Sequence, residues 1–169
     1  MRALVIIGTL ALAACGQEAE APKKAAAPAT IPPGEYEVTA IVKSLRSTDK
    51  TPLPTFAKQG DTRTVRGCVG SDGLPAPELL AARGDSCKIQ NPFVSNGRMN
   101  FQLNCDRPGQ GNVMSDVTGT FTAEGFTGTL IATSFFTGSG DYRLEEEITA
   151  RKVADQCTAG GGTAGAPKA

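Results

Sequence analysis

Three features of the sequence predict a mainly β fold, a small antiparallel β-sandwich or barrel-like sheet with at most one short helix. Apolar and polar residues alternate with a period of two in several short runs. Glycine is abundant, at 20 of 169 residues, and much of it falls between those runs. Helical periodicity is confined to one short stretch. A chain of this length is expected to form one domain.

The first alternating run is Glu35 to Val42, with Tyr36, Val38, Ala40 and Val42 on one face. Pro32-Pro33-Gly34 stands before it, where proline is tolerated. Thr62 to Val69 is a second strand candidate. Gly97 to Cys105 places Met99, Phe101, Leu103 and Cys105 on one side and Asn100, Gln102 and Asn104 on the other, the pattern of a half-buried strand. Asp116 to Phe136 reads as a hairpin turning at Ala123-Glu124-Gly125. Tyr142 to Val153 is the last strand. Pro77 to Gly84 predicts two helical turns, with proline at the start and glycine as the stop.

The amino terminus carries an address. Met1-Arg2 is a short positive start, and Ala3 to Ala14 is an apolar run, as in an export signal. The run is too short to cross a bilayer, which takes about 20 residues. Its end, Leu12-Ala13-Ala14-Cys15, looks like a bacterial lipoprotein box. In that class the cysteine sulfur receives a diacylglycerol and the signal is cut just before it. Residues 1–14 are then the signal peptide and Cys15 is the lipidation site. Stable anchoring takes more than one acyl chain, and a lipidated amino-terminal cysteine meets that need. Gly16 follows instead of an aspartate, which favours the outer membrane, periplasmic face. Residues 16–30 hold too few apolar side chains to fold and read as a tether. With Cys15, that gives a lipidated tether of residues 15–30, a β domain over 31–157 and a disordered tail over 158–169.

Four cysteines remain for the domain. An exported chain with an even number points to disulfides. Asn96-Gly97 is the strongest short hairpin signal. Cys87 lies nine residues before Asn96 and Cys105 nine after, so a hairpin there brings the two together. Pro92 implies a bulge or a strand edge on the first arm. The remaining pair is Cys68 and Cys157. The rival, a four-thiolate zinc site, lacks the usual close Cys-x-x-Cys pairs.

Several of these residues recur together in a known family. Pro33-Gly34-x-Tyr36-Glu37 opens a strand, Cys68, Cys87 and Cys105 follow, then the hairpin Gly119–Gly128 (GTFTAEGFTG), and Cys157 closes the domain. This pattern resembles a family of small proteobacterial exported proteins and lipoproteins classed as a domain of unknown function. It covers most of residues 31 to 157. Tyr36 stands where many members carry tryptophan. The resemblance implies a β domain in the cell envelope and supplies no activity, substrate or site.

Composition narrows the chemistry further. There is no histidine, so histidine-dependent hydrolysis and histidine metal sites are excluded. Basic and acidic residues balance at 17 each, unlike a nucleic-acid binder. No cofactor is expected. The main acidic cluster is Glu145-Glu146-Glu147. On a strand, Glu146 shares a face with Tyr142, Leu144 and Ile148, whereas Glu145 and Glu147 join Arg143 and Arg151. Glu146 is then either an inward acid with water access near a strand end or, with Tyr142, the lining of a ligand cavity. Asp106 to Asn112 and Gly138 to Asp141 are turns without phosphate-loop or calcium-loop spacing. Thr127, Thr129, Thr133, Ser134 and Thr137 suit either a strand surface or a polar binding face.

The expected function is a membrane-anchored, non-enzymatic binding or envelope-maintenance module whose protein or ligand partner is unknown. The alternative is a carrier of an apolar ligand in a β-cup, lined by residues such as Met99 and Phe101. A carboxylate-based hydrolase is third and would need two facing acids in a cleft.

Overall fold

A computed structural model describes residues 27–53 and 57–157. Its seven strands are β1 (Gly34–Ser47), β2 (Thr62–Val69), β3 (Ser86–Ser95), β4 (Arg98–Arg107), β5 (Gly111–Phe121), β6 (Gly125–Phe136) and β7 (Tyr142–Ala154). They form one sheet in the order β2-β1-β7-β6-β5-β4-β3, every neighbour antiparallel. The sheet curls into a half-barrel. The barrel-like expectation holds, and the two-sheet sandwich does not. Strands β3 to β7 follow each other as a meander. Strand β1 pairs with β7, so the link from β2 to β3 must cross from one edge of the sheet to the other.

The concave face is the core. Tyr36, Val38, Ala40 and Val42 of β1 are buried there, with Met99, Phe101, Leu103 and Cys105 of β4. Both sets are those expected from alternation. Strands β5 to β7 add Val113, Val117, Phe126, Leu130, Leu144 and Ile148. Each large apolar side chain so buried contributes roughly 1.5–3 kcal/mol. Gly119 of β5 pairs with Gly128 of β6. A Cβ on Gly119 would meet the Thr127 carbonyl oxygen and the Met99 methyl, so only glycine lets these strands close.

Asn96 and Gly97 both have positive φ, 51° and 77°, as a two-residue hairpin turn of the primed type requires. That turn sets Cys87 directly opposite Cys105, and the two are disulfide-bonded with Cα atoms 4.0 Å apart. Pro92 falls in a register shift between Gln90 and Phe93, and β3 is an edge strand. The second disulfide joins Cys68 to Cys157, Cα atoms 5.7 Å apart. It reaches across β1, because Glu35 pairs with Cys68 on one side and Ala154 on the other. All four thiols of the domain are consumed, which removes the zinc alternative.

The β2-to-β3 crossover, residues 70–85, straps the open side of the half-barrel. The two helical turns expected over Pro77 to Gly84 reduce to one 3-10 turn, Pro77–Leu79. Arg63 of β2 explains the shortfall. Its guanidinium donates to the carbonyls of Leu79 (3.4 Å) and Leu80 (2.8 Å), which a continuing helix would need as acceptors. Leu79 and Leu80 of the strap are buried against the core, as is Ile31.

The far end, away from residues 27–33 and Cys157, is tied by Asp49. Its carboxylate accepts from the Thr51 hydroxyl (2.6 Å) and amide (3.0 Å), and from the amides of Gly140 (2.6 Å) and Asp141 (3.0 Å). The Thr51 hydroxyl bond, then these amides, hold the carboxyl well below its usual range. A depressed folded value stabilises above the unfolded range and is lost as pH falls through it. Wild type should therefore be more stable than Asp49→Asn near pH 7, and the gap should shrink below about pH 4. Thermal melts of both across that window check this; a gap independent of pH refutes it.

Candidate functional site

A cavity of about 30 Å³ lies between the strap and the concave face of the sheet. Leu80, Ala81, Ala82 and Asp85 of the strap form one wall. Arg63 of β2, Arg107 of β4, and Tyr142 and Glu146 of β7 supply its polar lining. The two ligand residues expected from the sequence, Glu146 and Tyr142, are thus on one cavity.

Alternation along β7 turns Tyr142, Leu144, Glu146 and Ile148 inward, and Glu146 is only 5% exposed. It is not a water-facing acid at a strand end. Arg63 compensates it, donating from Nη2 to Oε2 at 2.9 Å and from Nε to Oε1 at 3.4 Å. A buried carboxylate with no counter-charge would carry a heavy desolvation cost, and this pairing offsets it. Nearby, Arg107 grips Asp85 through two parallel bonds, Nε to Oδ1 (2.7 Å) and Nη2 to Oδ2 (2.8 Å). The carbon of its guanidinium lies 5.5 Å from the Phe136 ring centroid and 5.8 Å from that of Tyr142. The Asp85 hydrogen bonds push the Arg107 pKa up, and desolvation pushes the Tyr142 phenol up. Both arginines also fasten the strap, Arg63 by its carbonyls and Arg107 through Asp85.

Chemically the site is small and internally satisfied. Among the described residues, no buried side-chain nitrogen or oxygen lacks a hydrogen-bond partner. Both oxygens of Asp85 and of Glu146 are engaged by an arginine. A drug-sized ligand fills a pocket of roughly 300–1,000 Å³, so such an occupant would have to displace the strap. Met99 and Phe101 are core and do not line this cavity. Among the described residues, no group of three or more metal-ligating side chains exists. Thr127, Thr129 and Thr133 do share the convex face, but Ser134 turns inward and accepts from the Tyr142 amide at 2.9 Å. Cys15 and the segment around it lie outside the described residues.

The family model for a protein of unknown function, DUF3617, matches residues 31–157. The chain belongs to the DUF3617 family. The match begins at buried Ile31 and ends at half-cystine Cys157, so it spans all seven strands and both disulfides of this DUF3617 domain. No curated protein and no solved structure matches the chain. The DUF3617 model names no reaction or ligand, and the chemistry of the domain rests on its own residues.

Arg63, Arg107 and Asp85 are the site residues that sequence reasoning missed. Arg107 was detectable, because it extends the inward series Met99, Phe101, Leu103, Cys105 by one more step of two. Arg63 likewise precedes Val65, Gly67 and Val69 at the same parity.

Proposed function

We propose that this DUF3617 protein is a lipoprotein held on the periplasmic face of the outer membrane by acyl chains on Cys15, presenting a non-enzymatic β module for binding or envelope maintenance. The observation that carries this reading is Leu12-Ala13-Ala14-Cys15 followed at once by a proline- and alanine-rich segment. The paired cysteines support it. Disulfides persist in oxidising compartments, and with four cysteines bonded to each other Cys15 is left over for modification. The geometry of the cavity supports a non-catalytic role, since every oxygen of its two carboxylates is already bonded to an arginine.

Labelling cells with a palmitate analogue tests the anchor. Wild type should incorporate label and partition with outer membranes. The Cys15→Ser variant should lose both. Unchanged labelling of that variant refutes the proposal. A second reading, carriage of an apolar ligand, is favoured by the half-barrel with its strap. It requires lipid to copurify in native mass spectra of membrane-extracted protein.

A further inference from the structure

We propose that Arg46 and Arg143 form an oxyanion-binding site on the convex face, selective for a phosphomonoester carried on an apolar body. The two residues are direct cross-strand partners of β1 and β7. Both point away from the core, since their neighbours Leu45 and Leu144 pack against it. Directly opposed residues on antiparallel strands have Cβ atoms about 4.5–5.5 Å apart, and like charges so placed destabilise a sheet. Among the described residues, neither arginine takes part in an ion pair. The other outward cations of β1, β2 and β7 are matched, Lys43 with Glu147, and Arg66 and Arg151 with Glu37; Lys88 of β3 and Arg98 of β4, farther along the sheet, are also without an ion pair among the described residues. Glu145 is two residues along β7 from Arg143, but it pairs in register with Ser44 and bridges to neither arginine. This part of the sheet thus keeps one unfavourable pair among neutralised neighbours, as a site built for an anion would.

The surroundings set the ligand's other half. Thr133 of β6 is opposite Arg143, and Met114 of β5 is opposite Thr133. Phe135 follows two residues along β6. Met114 is 41% and Phe135 56% exposed, two of the four large apolar side chains left in solvent among the described residues. Strands lie about 4.7–4.9 Å apart, so Met114 is within roughly 10 Å of Arg143 across the sheet. Two guanidinium forks match an oxyanion of charge near −2, as a phosphomonoester carries at neutral pH. The apolar shelf then takes the body attached to the phosphate. This site is on the opposite face of the sheet from the strap cavity, and it does not depend on the lipid anchor.

Titration of the full chain in detergent micelles with phenyl phosphate, inorganic phosphate and benzoate, followed by amide chemical shifts, tests it. Phenyl phosphate should bind best and shift Arg46, Arg143, Thr133 and Phe135. Arg46→Ala and Arg143→Ala should each weaken it at least tenfold. Phe135→Ala should weaken phenyl phosphate several-fold and leave inorganic phosphate unchanged. Because each arginine variant removes a repulsion, its melting temperature should equal or exceed that of wild type. Equal binding by the arginine variants, no binding at millimolar phenyl phosphate, or a lower melting temperature in both variants overturns the proposal. Benzoate binding as tightly as phenyl phosphate overturns the phosphomonoester selectivity.

Discussion

Replacing Cys68 and Cys157 together by serine should lower the melting temperature of the folded domain by roughly 10–20 °C. The bond closes a loop with sequence separation 89, for which chain-entropy arguments give about 4.5 kcal/mol. For a domain of this size each kcal/mol is worth roughly 3–5 °C. The Cys87–Cys105 bond spans a separation of only 18 and should cost less to remove, about 3 kcal/mol. Its hairpin is also held by the Asn96-Gly97 turn and by pairing from Ser86 to Ser95, which survive reduction. Strand β2 is likewise an edge strand paired with β1 alone, but no two-residue turn joins it to its partner. Melting curves of the two double-serine variants decide the order. If loss of Cys87–Cys105 proves the more damaging, loop length is not what governs these bonds.

Glu146→Gln should destabilise the domain by roughly 3 kcal/mol. The change leaves Arg63 facing the core with no counter-charge, and breaking a buried pair from one side typically costs about 3–5 kcal/mol. The low end applies here, because the Arg63 side chain is 27% exposed against 7% for Glu146. The damage should extend to the strap, since the same guanidinium holds the Leu79 and Leu80 carbonyls. Faster amide exchange should therefore appear at Leu80 and Ala81 before the sheet itself opens. A paired Arg63→Leu, Glu146→Leu variant should recover most of the loss in urea melts, as uncharged replacements of buried pairs commonly do. If Glu146→Gln changes neither stability nor ligand binding, the cavity has no functional claim.

Strands were legible wherever a single face is buried. Thr62–Val69 coincides with its expected span, and the inward residues of β1 and β4 are those that alternation selects. Strand β1 runs on to Ser47, five residues beyond the alternating stretch, because the bulge between Val42 and Ser44 interrupts the period. Turn chemistry located the Cys87–Cys105 bond, since a two-residue turn dictates register. The site was only half legible. Glu146 and Tyr142 reveal themselves by sharing a parity with Leu144 and Ile148. Their counterparts are distant in sequence: Arg63 lies 83 residues from Glu146, and Arg107 is on β4. Which strands lie side by side depends on β1 closing against β7, and no local pattern encodes that choice. The bias toward treating arginine as a solvent residue hid Arg63 and Arg107, although both sit at inward positions.

The strand order also fixes a schedule. Chains emerge amino terminus first, yet the early hairpin of β1 and β2 docks on β7, the last strand to be made. Strands β3 to β7 meanwhile assemble from neighbours in sequence, the quick kind of contact. Cys68 is therefore ready long before Cys157 exists, and Cys87 is the next thiol made after it. Maturation of this domain has an inherent window for a wrong crosslink, closed only when its final residues arrive. A disulfide isomerase should accordingly speed its oxidative refolding.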